Sequence, residues 1–120
     1  MARSLVVKVT CGAEDPERLN QGFTVAAAAA AAGADVSLWL TGEAAWFGVP
    51  GRAEEFDLDL ATPLDQLMAA VQTSGTITVC SQCAARRGIV AGDLREGVTI
   101  AGAAVFAEQV LGEDVQALVY

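Results

Sequence analysis

Short apolar runs alternate with longer amphipathic stretches along the chain. Residues 4–10 are rich in β-branched side chains and carry one charge, at Lys8, which is typical of a strand covered on both faces. Similar runs predict four more strands, at residues 36–40, 76–79, 98–100 and 115–120. Because helical patterns separate the strands, we expect a mostly parallel five-stranded sheet with helices on both faces. The fold class is therefore α/β, in one domain that covers residues 1–120.

Capping residues mark where the helices between the strands begin and end. Asp15 and Pro16 predict an N-cap and a first helical position, and this helix should run through seven alanines to a C-terminal cap at Gly33. Residues 62–65 resemble a capping box, and the apolar residues that follow recur on one helical face, so a second helix should end before Gly75. Two more helices are predicted, directly after Cys80 and over residues 103–111.

Three connecting segments have patterns of their own. Residues 43–47 predict a short helical turn that carries Trp46 and Phe47, which either wall a pocket or pack on the sheet. Residues 52–61 alternate charged and apolar side chains, which favours a solvated connection over an edge strand. Glycines within residues 88–97 predict two tight turns around a short helical piece.

Charge and hydropathy exclude several classes of function. The 15 acidic and 7 basic residues give a formal net charge of -8, which repels a phosphate backbone, so nucleic acid is not an expected partner. The longest apolar run, residues 25–32, is far too short to span a membrane. The N-terminal apolar run is interrupted by Lys8 and is too short for a secretory signal. We therefore expect a cytoplasmic protein with no membrane partner.

The cysteine content bears on disulfides and metals. Three cysteines are an odd number, which a secreted disulfide framework rarely shows. Histidine is absent, so the chain offers a metal at most Cys11, Cys80, Cys83 and a carboxylate, whereas structural zinc sites are mostly built from four Cys or His ligands. We predict no metal site and no cofactor.

The stretch from Ile77 to Gly88 carries the strongest candidate chemistry. A strand that ends on Cys80 and turns directly into a helix places the sulfur beside unpaired backbone N–H groups and the positive end of the helix dipole, and both favour the thiolate. The spacing of Cys80 and Cys83 fits a thioredoxin-type dithiol, half of a metal site, or one nucleophile with a companion. The missing second ligand pair and the late position in the chain favour Cys80 as the single working thiol, modified by Cys83.

Further candidate residues fall at the predicted carboxyl ends of strands, where open parallel sheets bind their ligands. Cys11 is either part of such a crevice or a small buried residue in a tight turn. Arg86 and Arg87 either add positive potential near Cys80 or are solvated surface charges. The candidate binding residues are Cys11, Gly12, Asp15, Gly42, Gln82 and Arg86.

Several features, taken in order, resemble one family. They are G-A-E-D-P-E-R at residues 12–18, an alanine-rich helix, a strand ending in L-W-L-T-G, and C-x-x-C-A-A-R-R-G-I at residues 80–89. In this combination the chain resembles the DsrE-like (DsrE/DsrF) sulfur-relay family over nearly its whole length. The resemblance implies a three-layer α/β/α sandwich with a five-stranded parallel sheet.

The resemblance also implies a role for Cys80. Members that act as sulfur carriers accept a persulfide sulfur on the cysteine at this position and hand it to a partner, often within trimers or hexamers. The chain is thus expected to be a sulfur carrier or sulfurtransferase, a homo-oligomer, and a partner of protein sulfur donors and acceptors. Cys83 departs from the single-cysteine carriers and could resolve the persulfide as a disulfide with Cys80. Dithiol redox chemistry and a non-enzymatic oligomeric binding module therefore remain alternatives.

Overall fold

The computed structural model describes residues 3–120 and places all five strands in one parallel sheet. The strands are β1 (Ser4–Val9), β2 (Asp35–Leu40), β3 (Thr76–Cys80), β4 (Val98–Ala101) and β5 (Val115–Val119). Their order across the sheet is β4-β3-β2-β1-β5, and every neighbouring pair is parallel. The predicted α/β class and the five-stranded sheet are confirmed, and β2 separates β1 from β3.

Within residues 3–120, five α-helices and two 3-10 helices connect the strands. The α-helices are α1 (Pro16–Ala31), α2 (Arg52–Glu55), α3 (Leu64–Gln72), α4 (Ser81–Arg86) and α5 (Ala103–Val110), and the 3-10 helices span Gly42–Gly48 and Ala91–Asp93. Among the described residues, no helix has the length and the apolar character that crossing a bilayer requires.

The predicted N-cap of α1 is confirmed in position, whereas the capping box predicted for α3 is wrong. Asp15 stands at the N-cap position of α1, but its side chain makes no capping hydrogen bond and instead forms an ion pair with Arg18 at 3.3 Å. The capping box at residues 62–65 does not form, because α3 begins at Leu64 and its N-cap residue is Pro63. The C-terminal end of α1 is as predicted, since Gly33 has a left-handed φ of 95°.

The main core lies between the sheet and helices α1 and α3. Alternate residues of the three central strands point to this side, and their side chains are fully buried against Phe23 of α1 and Met68 of α3. The opposite face is covered by α5, whose Phe106 ring packs edge-to-face on Trp39 at 5.3 Å. Helices on both faces confirm the three-layer arrangement.

The connection between β2 and α3 is more helical than its sequence pattern indicates. The predicted turn over residues 43–47 is a 3-10 helix, and residues 52–55 form the short helix α2. No strand forms among residues 52–61, so the solvated connection is the correct interpretation for the rest of that segment. Residues 88–97 contain a 3-10 turn and two left-handed glycines, Gly88 and Gly97, as predicted.

Candidate functional site

Cys80 occupies the junction between β3 and α4. It is the last residue of β3 and the N-cap residue of α4, with extended backbone angles of φ -62° and ψ 128°. The first N–H groups of a helix have no partner within that helix, and an N-cap residue keeps its side chain beside them. The Cys80 side chain is partly exposed, so a reagent from solvent can reach the sulfur.

The surroundings of Cys80 favour its ionised form. Burial raises the pKa of the Cys80 thiol, but hydrogen bonds outweigh burial, and the resulting pKa is below the ordinary value. The donors are the backbone N–H and the thiol of Cys83 and the backbone N–H of Gln82, and the charge of Lys8 acts in the same direction. Each of these groups stabilises negative charge on sulfur. Because the thiolate is the nucleophilic form of cysteine, a lowered pKa favours nucleophilic chemistry at Cys80.

Cys83 links α4 to the 3-10 helix that follows β2. The backbone N–H of Gly42 donates to Cys83 Sγ over 3.2 Å, and the Arg87 guanidinium donates to the Cys83 carbonyl oxygen over 3.1 Å. Gly42 has a φ of +55°, and a β-carbon there would lie 2.5 Å from the carbonyl oxygen of Thr10. Glycine is therefore required at this position, and it brings two of the predicted site residues, Gly42 and Cys83, into contact with each other.

Cys11 lies apart from the Cys80 site. It follows β1, which β2 separates from β3. The Cys11 side chain is 5% exposed, and its Sγ lies 3.9 Å from the carbonyl oxygen of Asp15. Burial raises the pKa of the Cys11 thiol, and the nearby carboxylates of Asp15 and Glu14 raise it further. Of the two interpretations of Cys11, the structure favours the small buried residue.

Arg86, the last residue of α4, and Arg87, which follows it, do not supply the positive charge that acts on Cys80. Arg87 forms an ion pair with Glu43 at 2.7 Å, and the Arg86 side chain is exposed to solvent. The charge that lowers the Cys80 pKa belongs to Lys8 of β1. Sequence reasoning missed Lys8 because it lies far from Cys80 along the chain. The sequence feature that could have identified Lys8 is that it is the single charge in an otherwise apolar strand.

Two other candidate binding residues have structural roles near the same edge. Gln82 contributes its backbone N–H to the nucleophile. The backbone N–H of Gly12 donates to Glu14 Oε1 over 2.7 Å, and a β-carbon on Gly12 would lie 2.8 Å from the Cβ of Glu43. Gly12 is thus required for close packing of the loop after β1 against the 3-10 helix.

A cavity of about 360 Å³ lies beside the carboxyl ends of β1 and β2. Trp46 and Phe47 line it, and the Arg52 guanidinium lies 4.5 Å from the centre of the Trp46 ring. Phe47 is also buried and packs edge-to-face on Phe23 at 6.3 Å, so this ring both walls a cavity and belongs to the core. The residues that line the cavity do not include Cys80.

The candidate site around Cys80 is assembled from thiols, backbone N–H groups and one ammonium group. All three cysteines are free. Among residues 3–120, no three Cys, Asp or Glu side chains are grouped so as to hold a metal ion.

The sequence profile of the DsrE/DsrF-like family matches residues 3–115. The chain belongs to this family. The match extends from β1 to the first residue of β5 and includes the whole junction around Cys80. No curated protein matches the chain significantly.

Solved structures share the fold of this DsrE/DsrF-like chain. The YchN protein of E. coli is similar over 100% of both chains, with 21% identity and a TM-score of 0.80. MTH1491 of Methanobacterium thermoautotrophicum, a protein of unknown function, is similar over 100% of both chains, with 10% identity and a TM-score of 0.73. BT1422 of Bacteroides thetaiotaomicron is similar over 98% of this chain and 95% of its own, with 16% identity and a TM-score of 0.64. At these identities the likeness concerns the fold alone.

Proposed function

We propose that this DsrE/DsrF-like protein is a sulfur carrier that holds a persulfide on Cys80. The observation that carries the proposal is the position of the Cys80 thiol at the start of α4, where N–H donors and a hydrogen-bonding thiol lower its pKa. Membership of a family that includes sulfur-relay proteins supports it. A carrier needs a thiol that attacks sulfur readily and then leaves readily, and stabilising its thiolate serves both steps.

The proposed reaction needs no external oxidant or reductant. The Cys80 thiolate attacks the outer sulfur of a donor persulfide, R–S–S–H, so that a sulfur–sulfur bond forms to Cys80 and R–S⁻ leaves with the electron pair of the broken bond. The product is Cys80–S–S–H. An acceptor thiolate then attacks the terminal sulfur, and the Cys80 thiolate is the leaving group. One sulfur atom has moved from donor to acceptor, and Cys80 is regenerated.

Cys83 supports a second candidate function, a dithiol redox protein. Cys83 follows Cys80 by three residues, in the first turn of α4, and its thiol contributes to lowering the pKa of Cys80. A Cys83 thiolate that attacked the inner sulfur of Cys80–S–S–H would form the Cys80–Cys83 disulfide and release HS⁻. In this alternative, the sulfur is discharged as sulfide rather than passed on.

Mass spectrometry after incubation with a low-molecular-weight persulfide distinguishes these functions. We expect wild-type protein to gain the mass of one sulfur atom at Cys80 and Cys80→Ser to gain none. Cys11→Ser is the matched control and should load like wild type. Cys83→Ser should hold the added sulfur longer if Cys83 resolves the persulfide. Absence of any sulfur adduct on wild type and on Cys83→Ser would reject the carrier.

We also propose that the protein self-associates through the surface formed by α5 and β5. These two elements pack on each other, and none of their residues is buried. Val105 of α5 and Val119 of β5 are exposed apolar side chains on this surface, and Val119 is 65% exposed. β5 is an edge strand without a charge or a proline, so it lacks the usual protection against pairing with another chain. A second copy of the chain is the proposed occupant.

Introducing a charge into this surface should dissociate the assembly. Light scattering of wild-type protein at micromolar concentration is expected to give a mass of two or more chains. Val119→Lys should shift that mass toward one chain, because a buried unpaired ammonium group opposes association. Val90→Lys is the matched control, since Val90 is 62% exposed and lies outside this surface. A monomeric wild type, or an unchanged mass for Val119→Lys, contradicts the proposal.

A further inference from the structure

Lys8 is the only lysine in the chain, and it lies within a strand whose neighbouring residues are buried. In the register of the sheet, Lys8 pairs with Trp39 on β2, and Trp39 pairs with Thr78 on β3. Side chains in such a row point to the same face of a sheet, and so does the residue two positions along each strand. Cys80 is two positions beyond Thr78. Lys8 and Cys80 therefore project from the same face, the one covered by α5.

The Lys8 ammonium group is held over this face by an aromatic ring. Its Nζ lies 5.0 Å from the centre of the Phe106 ring, and Phe106 packs edge-to-face on Trp39. A cation is attracted to the face of an aromatic ring, so Phe106 restrains the direction of the lysine side chain. Among residues 3–120, no carboxylate lies within ion-pair distance of Lys8. Its charge is consequently not neutralised by a contact within the described chain.

We propose that Lys8 is the counter-cation of the anionic sulfur at Cys80 and that it selects anionic sulfur donors. This inference rests on the proposed sulfur-carrier function and adds a substrate class to it. The donors expected are small anions that carry a transferable sulfur, such as thiosulfate or a deprotonated persulfide. Lys8 is a positioning residue, because it acts on the charge of the reacting sulfur across the sheet surface.

The geometry allows this interaction. Two strand spacings separate Lys8 from the row of Thr78, about 10 Å, and Cys80 is about 7 Å further along β3. The four-carbon stem of lysine spans a large part of this separation. The surface between them is dry, since Trp39 is 1% exposed and Thr78 is 5% exposed. Charges across a dry surface are screened less than charges in water, so the interaction remains effective at this range.

Charged groups on the other elements near Cys80 do not replace Lys8. Arg86, at the end of α4, is exposed to solvent, and Arg87, which follows it, is paired with Glu43 of the 3-10 helix. β4 carries no charge, and the single charge of α5, Glu108, is exposed and negative. The lowered pKa of Cys80 is consistent with this arrangement of charges, because Lys8 is the ionised side chain that contributes to lowering it.

The transfer from thiosulfate illustrates why a cation at this place matters. The Cys80 thiolate attacks the outer sulfur, a sulfur–sulfur bond forms to Cys80, and sulfite leaves with the electron pair of the broken bond. Both reactants and both products are anions, and their mutual repulsion opposes every encounter. A fixed ammonium group on the same face as Cys80 reduces that repulsion and stabilises the charge on the terminal sulfur of the product.

The test measures alkylation of Cys80, which requires no sulfur donor. Mass spectrometry of the Cys80 peptide follows its modification by iodoacetamide. The pH dependence of the modification rate gives the apparent pKa of the thiol. We expect Lys8→Met to raise that pKa and Lys8→Arg to keep it near the wild-type value. The ratio of the rates with anionic iodoacetate and neutral iodoacetamide should fall at least ~threefold in Lys8→Met. Loading of Cys80 from thiosulfate should fall in the same variant.

Arg3→Met is the matched control, because it removes one positive charge from the residue that precedes β1, at the end of the strand away from Lys8. It should leave the pKa and the rate ratio unchanged. Near-ultraviolet circular dichroism checks that the Trp39 and Phe106 packing persists in each variant. The proposal is overturned if Lys8→Met matches Arg3→Met in both measurements, or if Lys8→Arg behaves like Lys8→Met. If alkylation depends on Lys8 but no donor loads Cys80, the carrier function fails while the role of Lys8 in thiolate stabilisation stands.

Discussion

Replacing Phe23 with alanine is expected to lower the free energy of unfolding by about 3–5 kcal/mol. Phe23 is fully buried in α1, and its ring packs edge-to-face on Phe47 at 6.3 Å. Phe47 in turn packs on Phe56 at 6.0 Å. The substitution leaves a cavity where the first helix, the 3-10 helix and the segment after α2 meet. Domains of this size are stable by only about 5–15 kcal/mol, so the expected loss is a large share of the total.

Urea unfolding followed by circular dichroism measures this loss. Thr24→Ala is the matched control, since Thr24 is the next residue of α1 and is exposed, and we expect a change within about 0.5 kcal/mol. Phe23→Leu should lie between the two, because it preserves much of the buried volume. A loss below about 1 kcal/mol for Phe23→Ala would contradict the central position of this ring in the core.

Gly42→Ala is expected to destabilise the protein by about 2–5 kcal/mol. A left-handed backbone costs a residue with a β-carbon about 1–2 kcal/mol, and overpacking adds about 1–3 kcal/mol. The overpacking arises because the new β-carbon would lie 2.5 Å from the carbonyl oxygen of Thr10, and backbone cannot rotate away as a side chain can. Relief of this contact shifts the 3-10 helix and weakens the hydrogen bond from Gly42 to Cys83. The fold and the reactive site are thus both affected.

Gly88→Ala separates the two contributions. Gly88 also has a left-handed φ, of +69°, but a β-carbon there would meet no atom within 4 Å. The free energy of unfolding of this variant should therefore fall only by the cost of the left-handed backbone conformation, about 1–2 kcal/mol. Equal losses for Gly42→Ala and Gly88→Ala in chemical denaturation would show that the contact with Thr10 is relieved without cost.

The sequence by itself determined the layout of the fold. Short β-branched apolar runs, and a periodicity of 3.6 between them, are local properties, and they predict all five strands and the three longest helices. Local stop signals such as Gly33 are also sufficient, because the backbone conformation that they favour depends little on distant residues. The capping box at residues 62–65 fails for the opposite reason. Where α3 begins depends on how Leu64, which is fully buried, packs in the core, and packing overrides a weak local preference.

The sequence also determined that Cys80 ends a strand and begins a helix, and this local arrangement is enough to place the thiol beside helix N–H groups. Everything that relates Cys80 to distant parts of the chain was decided by tertiary structure. The strand order put β2 between Cys11 and Cys80, the turn after β2 brought the Gly42 N–H to Cys83, and the register aligned Lys8 with the face that carries Cys80. Local patterns specify which residues form a strand and which way each side chain alternates. They leave open which strands become neighbours, because that choice depends on the packing of the helices and loops across the whole sheet.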